Sequence, residues 1–311
     1  MKEQIRALAK AKNAVIMAHY YCRPEVQEVA DFIGDSLALA QQAQKTDADI
    51  IVMCGVHFMA ETAAILCPDK KVLIPDATVG CSLADSCRAA DLAAWKAQHP
   101  QHKVISYVNT SAEVKALSDI VVTSSNALKI VNSFPQDTPL LFGPDCHLGA
   151  YINAQTGRTM ELWNGGCHVH SRFSVDSLLS LKREHPTAAV LAHPECPQNI
   201  LDHSDVIGST AALLHYVQNH PEQSEFIVVT EPGVIYKMQE AHPSASFYPV
   251  LANDSTPSSK GCLSCNECEY MRQNTLQNVL ACLQNEQPVV TVDASIAQRA
   301  LLPIHRMLSL S

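Results

Sequence analysis

Three short polar runs recur along this chain at nearly constant spacing, and their residue types suit acid–base work. His19, Tyr20 and Tyr21, then Tyr107, Val108 and Asn109, then His193, Pro194 and Glu195 each end an apolar, strand-like run. Tyr107 follows His19 by 88 positions, and His193 follows Tyr107 by 86. Imidazoles and a desolvated carboxylate titrate near neutral pH, which makes His19, Tyr21, Tyr107, His193 and Glu195 candidates for proton transfer. A second register carries hydroxyls: Ser36, then Ser124 with Ser125, then Ser209 with Thr210, each opening a helical stretch. Helix N-termini offer backbone N–H groups and a dipole suited to a carboxylate or phosphate, although plain N-capping is the commoner use of such residues.

A third register carries sulfur. Cys81 and Cys167 lie 86 positions apart, each in a loop after the last strand-like run of its repeat, and Cys262, Cys265 and Cys268 follow the third. Three thiolates delivered by three repeats would converge on one point. Soft thiolates select zinc, copper(I) or iron–sulfur centres. A structural zinc site is closed by four ligands. Three cysteines around a [4Fe-4S] cluster leave one iron open to act as a Lewis acid, and this reading is preferred here. Gly80, Gly165, Gly166 and Gly261 just precede these cysteines, as expected where backbone turns against a bulky cofactor. The local CxxCxxC at Cys262–Cys268 lacks the continuation of a ferredoxin run, so one of its cysteines is expected as ligand and two as accessory thiols. A closed zinc site there, completed by Cys282 or a histidine, is the alternative.

Elements must carry these groups to one place. Each repeat alternates apolar runs with helical stretches: IIVMCG, PLLFGP and FIVVTE, followed by KVLIP, TMELW and ASFYPV. Such alternation implies right-handed βαβ crossovers, with functional groups at the carboxyl ends of parallel strands. The expected fold is therefore α/β, with three similar three-layer αβα domains arranged in pseudo-threefold symmetry around a central iron–sulfur cluster. Their expected spans are 1–85, 86–172 and 173–269, with residues 270–311 packing back on the first. Asp31, Asp119 and Asp205 also recur in register, with no function assigned.

Composition narrows the class. The 311 residues are 47% hydrophobic and 17% charged, with 22 basic against 31 acidic side chains and a net charge of −9. That balance argues against nucleic acid as a partner. Twelve cysteines scattered through a long chain suit a reducing compartment. The most apolar run, residues 50–67, contains His57 and Glu61 and is no membrane span. No export segment is visible, and a cytoplasmic location is expected.

Several longer motifs resemble the quinolinate synthase (NadA) family: MAHYYCRPEVQEVADFIGDSL, CGVHFMAETAAIL, YVNTSAEVKALSD with VTSSNA, GPDCHLGAYI, HPEC and CEYMRQNTL, in order along the chain. The resemblance implies an enzyme that condenses iminoaspartate with dihydroxyacetone phosphate to quinolinate in de novo NAD synthesis, releasing phosphate and water. It implies a [4Fe-4S] cluster on Cys81, Cys167 and Cys268, the last chosen because the family's ligand precedes a segment matching Met271 and Asn274. It also places His19, Tyr107, Asn109, His193 and Glu195 at the substrates. Coupling to an aspartate oxidase or dehydrogenase that supplies iminoaspartate is expected from the pathway.

Combining both readings, Glu195 is the expected general acid–base and Tyr21 a proton relay. His19 and His193 are expected donors to a developing oxyanion, and Tyr107 with Asn109 would grip a carboxylate. Ser36, Val108, Ser124, Pro194, Ser209 and Thr210 complete the expected binding set. His168 and His170, beside Cys167, are candidates to hydrogen-bond the cluster or the substrates. The competing classes are an iron–sulfur or thiol sensor, for which no basic recognition helix appears, and a zinc-stabilised α/β hydrolase.

Overall fold

The computed structural model describes residues 1–252 and 266–311. Runs such as Ile50–Cys54 are buried at every position, the pattern of a parallel strand covered on both faces. The first sheet comprises β1 (Ala14–His19), β2 (Phe32–Gly34), β3 (Ile50–Cys54) and β4 (Lys71–Leu73). The second comprises β5 (Lys103–Tyr107), β6 (Ile120–Val122), β7 (Leu140–Gly143) and β8 (Glu161–Leu162). The third comprises β9 (Ala189–Ala192), β10 (Val206–Ile207), β11 (Glu225–Val229) and β12 (Ser246–Pro249). All three are wholly parallel and share one order, second strand, first, third, fourth. The three α/β units expected from the repeats are thus present.

Their layering follows from strand alternation. In the third sheet Val190, Ala192, Ile227 and Val229 join one apolar cluster, while Leu191, Phe226 and Val228 join another. Neighbouring side chains point to opposite faces, so helices cover both sides. The first two units share a single core with the C-terminal helices, through Val52, Ile105, Val279 and Ile304 among others. Helix Leu276–Asn285 packs on helix Lys2–Ala11 and on β3, and helix Ala294–Ser309 lies against β6 and the short helix Ala112–Lys115.

The recurring aspartates have a structural role. Asp31 Oδ2 accepts from Ile16 N–H at 2.8 Å, Asp119 Oδ2 from Val104 N–H at 2.9 Å, and Asp205 Oδ2 from Val190 N–H at 2.8 Å. Each aspartate's own N–H returns to the carbonyl of the same strand residue. This reciprocal pair clamps the chain leading into each unit's second strand against its first, where a backbone N–H would otherwise lack a partner.

Candidate active site at the junction of the three units

The carboxyl ends of the three sheets face one cavity of about 730 Å³ of empty space. The first and third residues of each polar trio reach it and the middle one does not; beyond the strand ends His19–Cys22 and His193–Cys196 close turns, with the N–H of Cys22 and of Cys196 donating to the carbonyls of His19 and His193. His19 and Tyr21, Tyr107 and Asn109, and His193 and Glu195 all line the cavity. Val108 and Pro194, expected in the binding set, are middle residues and are not among the lining groups.

The hydroxyl register divides the same way. Ser36, Ser124 and Thr210 line the cavity. The preceding position caps in two units: Asp35 Oδ1 accepts from Ala38 N–H at 3.0 Å and Ser209 Oγ from Ala212 N–H at 3.2 Å. Ser209 therefore serves its helix and lies outside the lining, and Ser125 donates to Asp35 Oδ2 at 2.8 Å across two units. Asp35 itself lines the cavity and was missed in the sequence, hidden because it replaces a hydroxyl at the capping position.

Cross-unit contacts fix the cavity walls. Tyr21 of the first unit inserts its hydroxyl between Thr210 Oγ1 at 2.7 Å and Thr230 Oγ1 at 2.8 Å of the third. Gly233 permits this approach, since a Cβ there would stand 2.8 Å from Tyr21 Cα. Tyr107 donates its hydroxyl to Glu195 Oε1 at 2.6 Å. His193 Nε2 lies 3.3 Å from Ser124 Oγ.

His19 and His193 are held by one local device. His19 Nδ1 accepts from Tyr21 N–H at 3.2 Å, and His193 Nδ1 accepts from Glu195 N–H at 3.3 Å. With Nδ1 accepting, the neutral ring carries its proton on Nε2. Burial pushes His19 down to about 4 and His193 down to about 3, against the attraction of nearby carboxylates. Both are neutral donors at physiological pH. Burial pushes Glu195 up, but the imidazoles of His193 and His170 and the Tyr107 hydroxyl prevail and hold it down at about 2.

Cys81, Cys167 and Cys268 come together at this cavity from the three units. Each opens a helical turn: its carbonyl accepts the N–H four residues on, from Asp85, Ser171 and Arg272 at 3.0, 2.9 and 3.1 Å. Backbone N–H groups in these turns also point at the sulfurs, from Leu83 and Ala84, from His170, and from Tyr270 and Met271. Burial pushes all three thiols up, Cys81 to about 12. Three sulfurs whose ionisation needs a cation, each already supplied with N–H donors, suit a soft metal centre. At Gly165 the protein itself is close: a Cβ there would lie 2.5 Å from the Pro144 carbonyl oxygen. Cys262, Cys265 and Gly261 lie outside the described residues. Cys167, His170 and Glu195 form a further group that could hold a metal, with ligand atoms within 4.8 Å of one another.

Two buried carboxylates went unnoticed in the sequence. Asp145 Oδ2 accepts the Cys167 N–H at 3.2 Å, and Glu231 Oε1 accepts the Cys268 N–H at 3.3 Å. Burial raises Glu231 to about 7 despite Arg272, whose Nη2 donates to Oε1 at 3.0 Å. His168 also lines the cavity, and its Nδ1 lies 2.6 Å from Ser82 Oγ, tying two cysteine loops together.

Comparisons with known proteins agree on one family. The family model described as Quinolinate synthetase A protein matches residues 3–309. A quinolinate synthase of Thermosynechococcus vestitus is 53% identical over 307 residues, covering 99% of this chain and 94% of that protein. One from Microcystis aeruginosa is 52% identical with the same coverage, and one from Prochlorococcus marinus is 50% identical over 309 residues, 99% of this chain and 90% of that protein.

Proposed function

The chain belongs to the quinolinate synthetase A family, and from that premise we propose that it condenses iminoaspartate with dihydroxyacetone phosphate to quinolinate, releasing phosphate and water. The observation that carries the reading is the meeting of three cysteines, one per unit, with neutral imidazoles and an ionised glutamate in one cavity. Cys81, Cys167 and Cys268 would hold a [4Fe-4S] cluster, which when bound supplies a Lewis-acidic iron with an open position.

The protein's own groups bind, orient and move protons. Glu195, ionised and gripped by Tyr107, is the general base; its buried carboxylate lies 3.0 Å from His170 Nδ1. His170 Nε2 lies 2.9 Å from Thr230 Oγ1, which in turn meets the Tyr21 hydroxyl at 2.8 Å. Tyr21, Thr230 and His170 thus form a hydrogen-bonded row that ends beside Glu195 and links two sides of the cavity. His19 and His193, neutral with Nε2–H available, donate to a carbonyl oxygen as negative charge develops on it. Both substrates are anionic and so is the chain. Local donors must bind them: the hydroxyls of Ser36, Ser124 and Thr210 beside their helix N-termini, with Asn109.

The reaction needs no net electron transfer and suits a cytoplasmic protein, supplied with the unstable imine by an aspartate oxidase or dehydrogenase. Anaerobic protein reconstituted with iron and sulfide should form quinolinate from iminoaspartate and dihydroxyacetone phosphate. No product, with four irons bound and the fold intact, would overturn the reading. Cys262→Ser and Cys265→Ser should keep both cluster and activity.

A further inference from the structure

We propose that the cluster-free chain binds a single divalent ion of the zinc class through Cys167 Sγ, His170 Nδ1 and a Glu195 carboxylate oxygen. The three ligand atoms lie within 4.8 Å of one another, which a small inward shift closes around one ion. The donor set of one thiolate, one imidazole and one carboxylate is a zinc set, with the fourth position left open to the cavity.

His170 supplies the independent sign. Its ring is 2% exposed, and Nδ1 stands 3.0 Å from Glu195 Oε2 yet makes no hydrogen bond. In the tautomer that donates Nε2–H to Thr230 Oγ1 at 2.9 Å, the Nδ1 lone pair faces a carboxylate oxygen. A proton or a metal ion between these two atoms relieves their repulsion, and the Cys167 sulfur within the same 4.8 Å suits the place to a metal ion. The surrounding contacts are those that hold metal ligands in place: Thr230 orients His170, Tyr107 holds the other oxygen of Glu195 at 2.6 Å, and Asp145 fixes the Cys167 backbone at 3.2 Å. On binding, the Cys167 thiol releases its proton to solvent and the thiolate takes the ion.

Cys167 is shared with the three-cysteine site, so ion and cluster exclude each other. Zinc bound here would block cluster assembly.

The test titrates the full-length chain, stripped of iron and kept anaerobic, with Zn²⁺ and with Co²⁺ as the coloured probe. One equivalent of Co²⁺ should give tetrahedral d–d bands and a thiolate charge-transfer band, and Zn²⁺ should displace it. His170→Ala should bind about 100-fold more weakly, while still taking up iron and sulfide, which shows that it folds. Cys81→Ser and Cys268→Ser should bind Co²⁺ as the parent does. One equivalent of Zn²⁺ should slow cluster reconstitution in the parent and not in His170→Ala. Loss of Co²⁺ binding in Cys81→Ser or Cys268→Ser would place the ion on three cysteines and overturn the proposal, as would full binding by His170→Ala or no binding by the parent. Metal content is read and not turnover, so the outcome is independent of the reaction assigned above.

Discussion

The loop carrying Cys81 and the loops carrying Cys167 and Cys268 have the same place in the fold but different support. Two residues beyond the paired ends of the first and third strands stand Val56, Asp145 and Glu231 in the three units. Asp145 and Glu231 are completely buried and accept the N–H of the cysteine that follows in their own unit. The Val56 side chain has no acceptor to offer. The first unit instead has a cation nearby: Lys115 is completely buried, 5.3 Å over the ring of Phe58, itself in the cavity wall. Burial pushes Lys115 down to about 8, with Glu61 and Cys81 opposing. Equal spacing in a repeat therefore fixes where the sulfurs lie, while the charges behind them have diverged.

Removing a sulfur should erase the difference between the loops. Cys81→Ser, Cys167→Ser and Cys268→Ser should each abolish both cluster and quinolinate formation, read as iron content and product. If Cys81→Ser alone kept a full cluster, the first loop would carry no ligand and the comparison would fail.

The carboxylates sharpen it. Asp145→Asn and Glu231→Gln should each weaken cluster retention about 10- to 100-fold, the usual cost of losing a group that orients a metal ligand. Val56→Ala removes no acceptor and should leave retention near that of the parent. Iron release to a chelator measures all three. Equal loss in Val56→Ala would mean that packing, and not the accepted N–H, steadies these loops.

This difference explains what could be read in the sequence. The trios, hydroxyls and cysteines were legible because three copies in register mark positions that the fold treats alike. The middle residues of the trios, Val108 and Pro194 among them, stay outside the cavity lining. Asp145 and Glu231 escaped because each differs from its counterpart in the first unit and because its partner is a backbone N–H. Those partners lie 22 and 37 positions away, so no common spacing links the two pairs. Asp31, Asp119 and Asp205 were visible in register, yet only coordinates show that they accept strand N–H groups and stand apart from the site. His170 stood out only as a neighbour of Cys167, and its facing carboxylate is 25 residues further along the chain.

A smaller effect separates the first unit's trio from the second's. Tyr107→Phe withdraws the hydroxyl from Glu195 and should lower kcat/KM about tenfold or more, the worth of a hydrogen bond to a charged group. Tyr21→Phe reaches Glu195 only through Thr230 and His170 and should cost less. The reverse order would make the Tyr21 path, and not the Tyr107 grip, the chief control on the base.

The mildest contrast is in stability against pH. Burial lowers both imidazoles, but Asp35 and Glu195 oppose it at His19, which falls to about 4, whereas at His193 only Glu195 opposes it and the ring falls to about 3. Burial keeps folded His19 neutral down to about 4, while an ordinary imidazole takes up its proton at 6.5. Between those values unfolding takes up a proton, so acid favours the unfolded chain. Stability should therefore fall as pH drops from about 6.5 toward 4, by up to about 1.4 kcal/mol per pH unit for this one group. His19→Gln has nothing to protonate and should show a slope shallower by up to that amount, read from urea midpoints of the cluster-free chain at about pH 5 and about pH 7. An unchanged slope would mean that folded His19 protonates normally, and its proposed service as a neutral Nε2–H donor would fail with it.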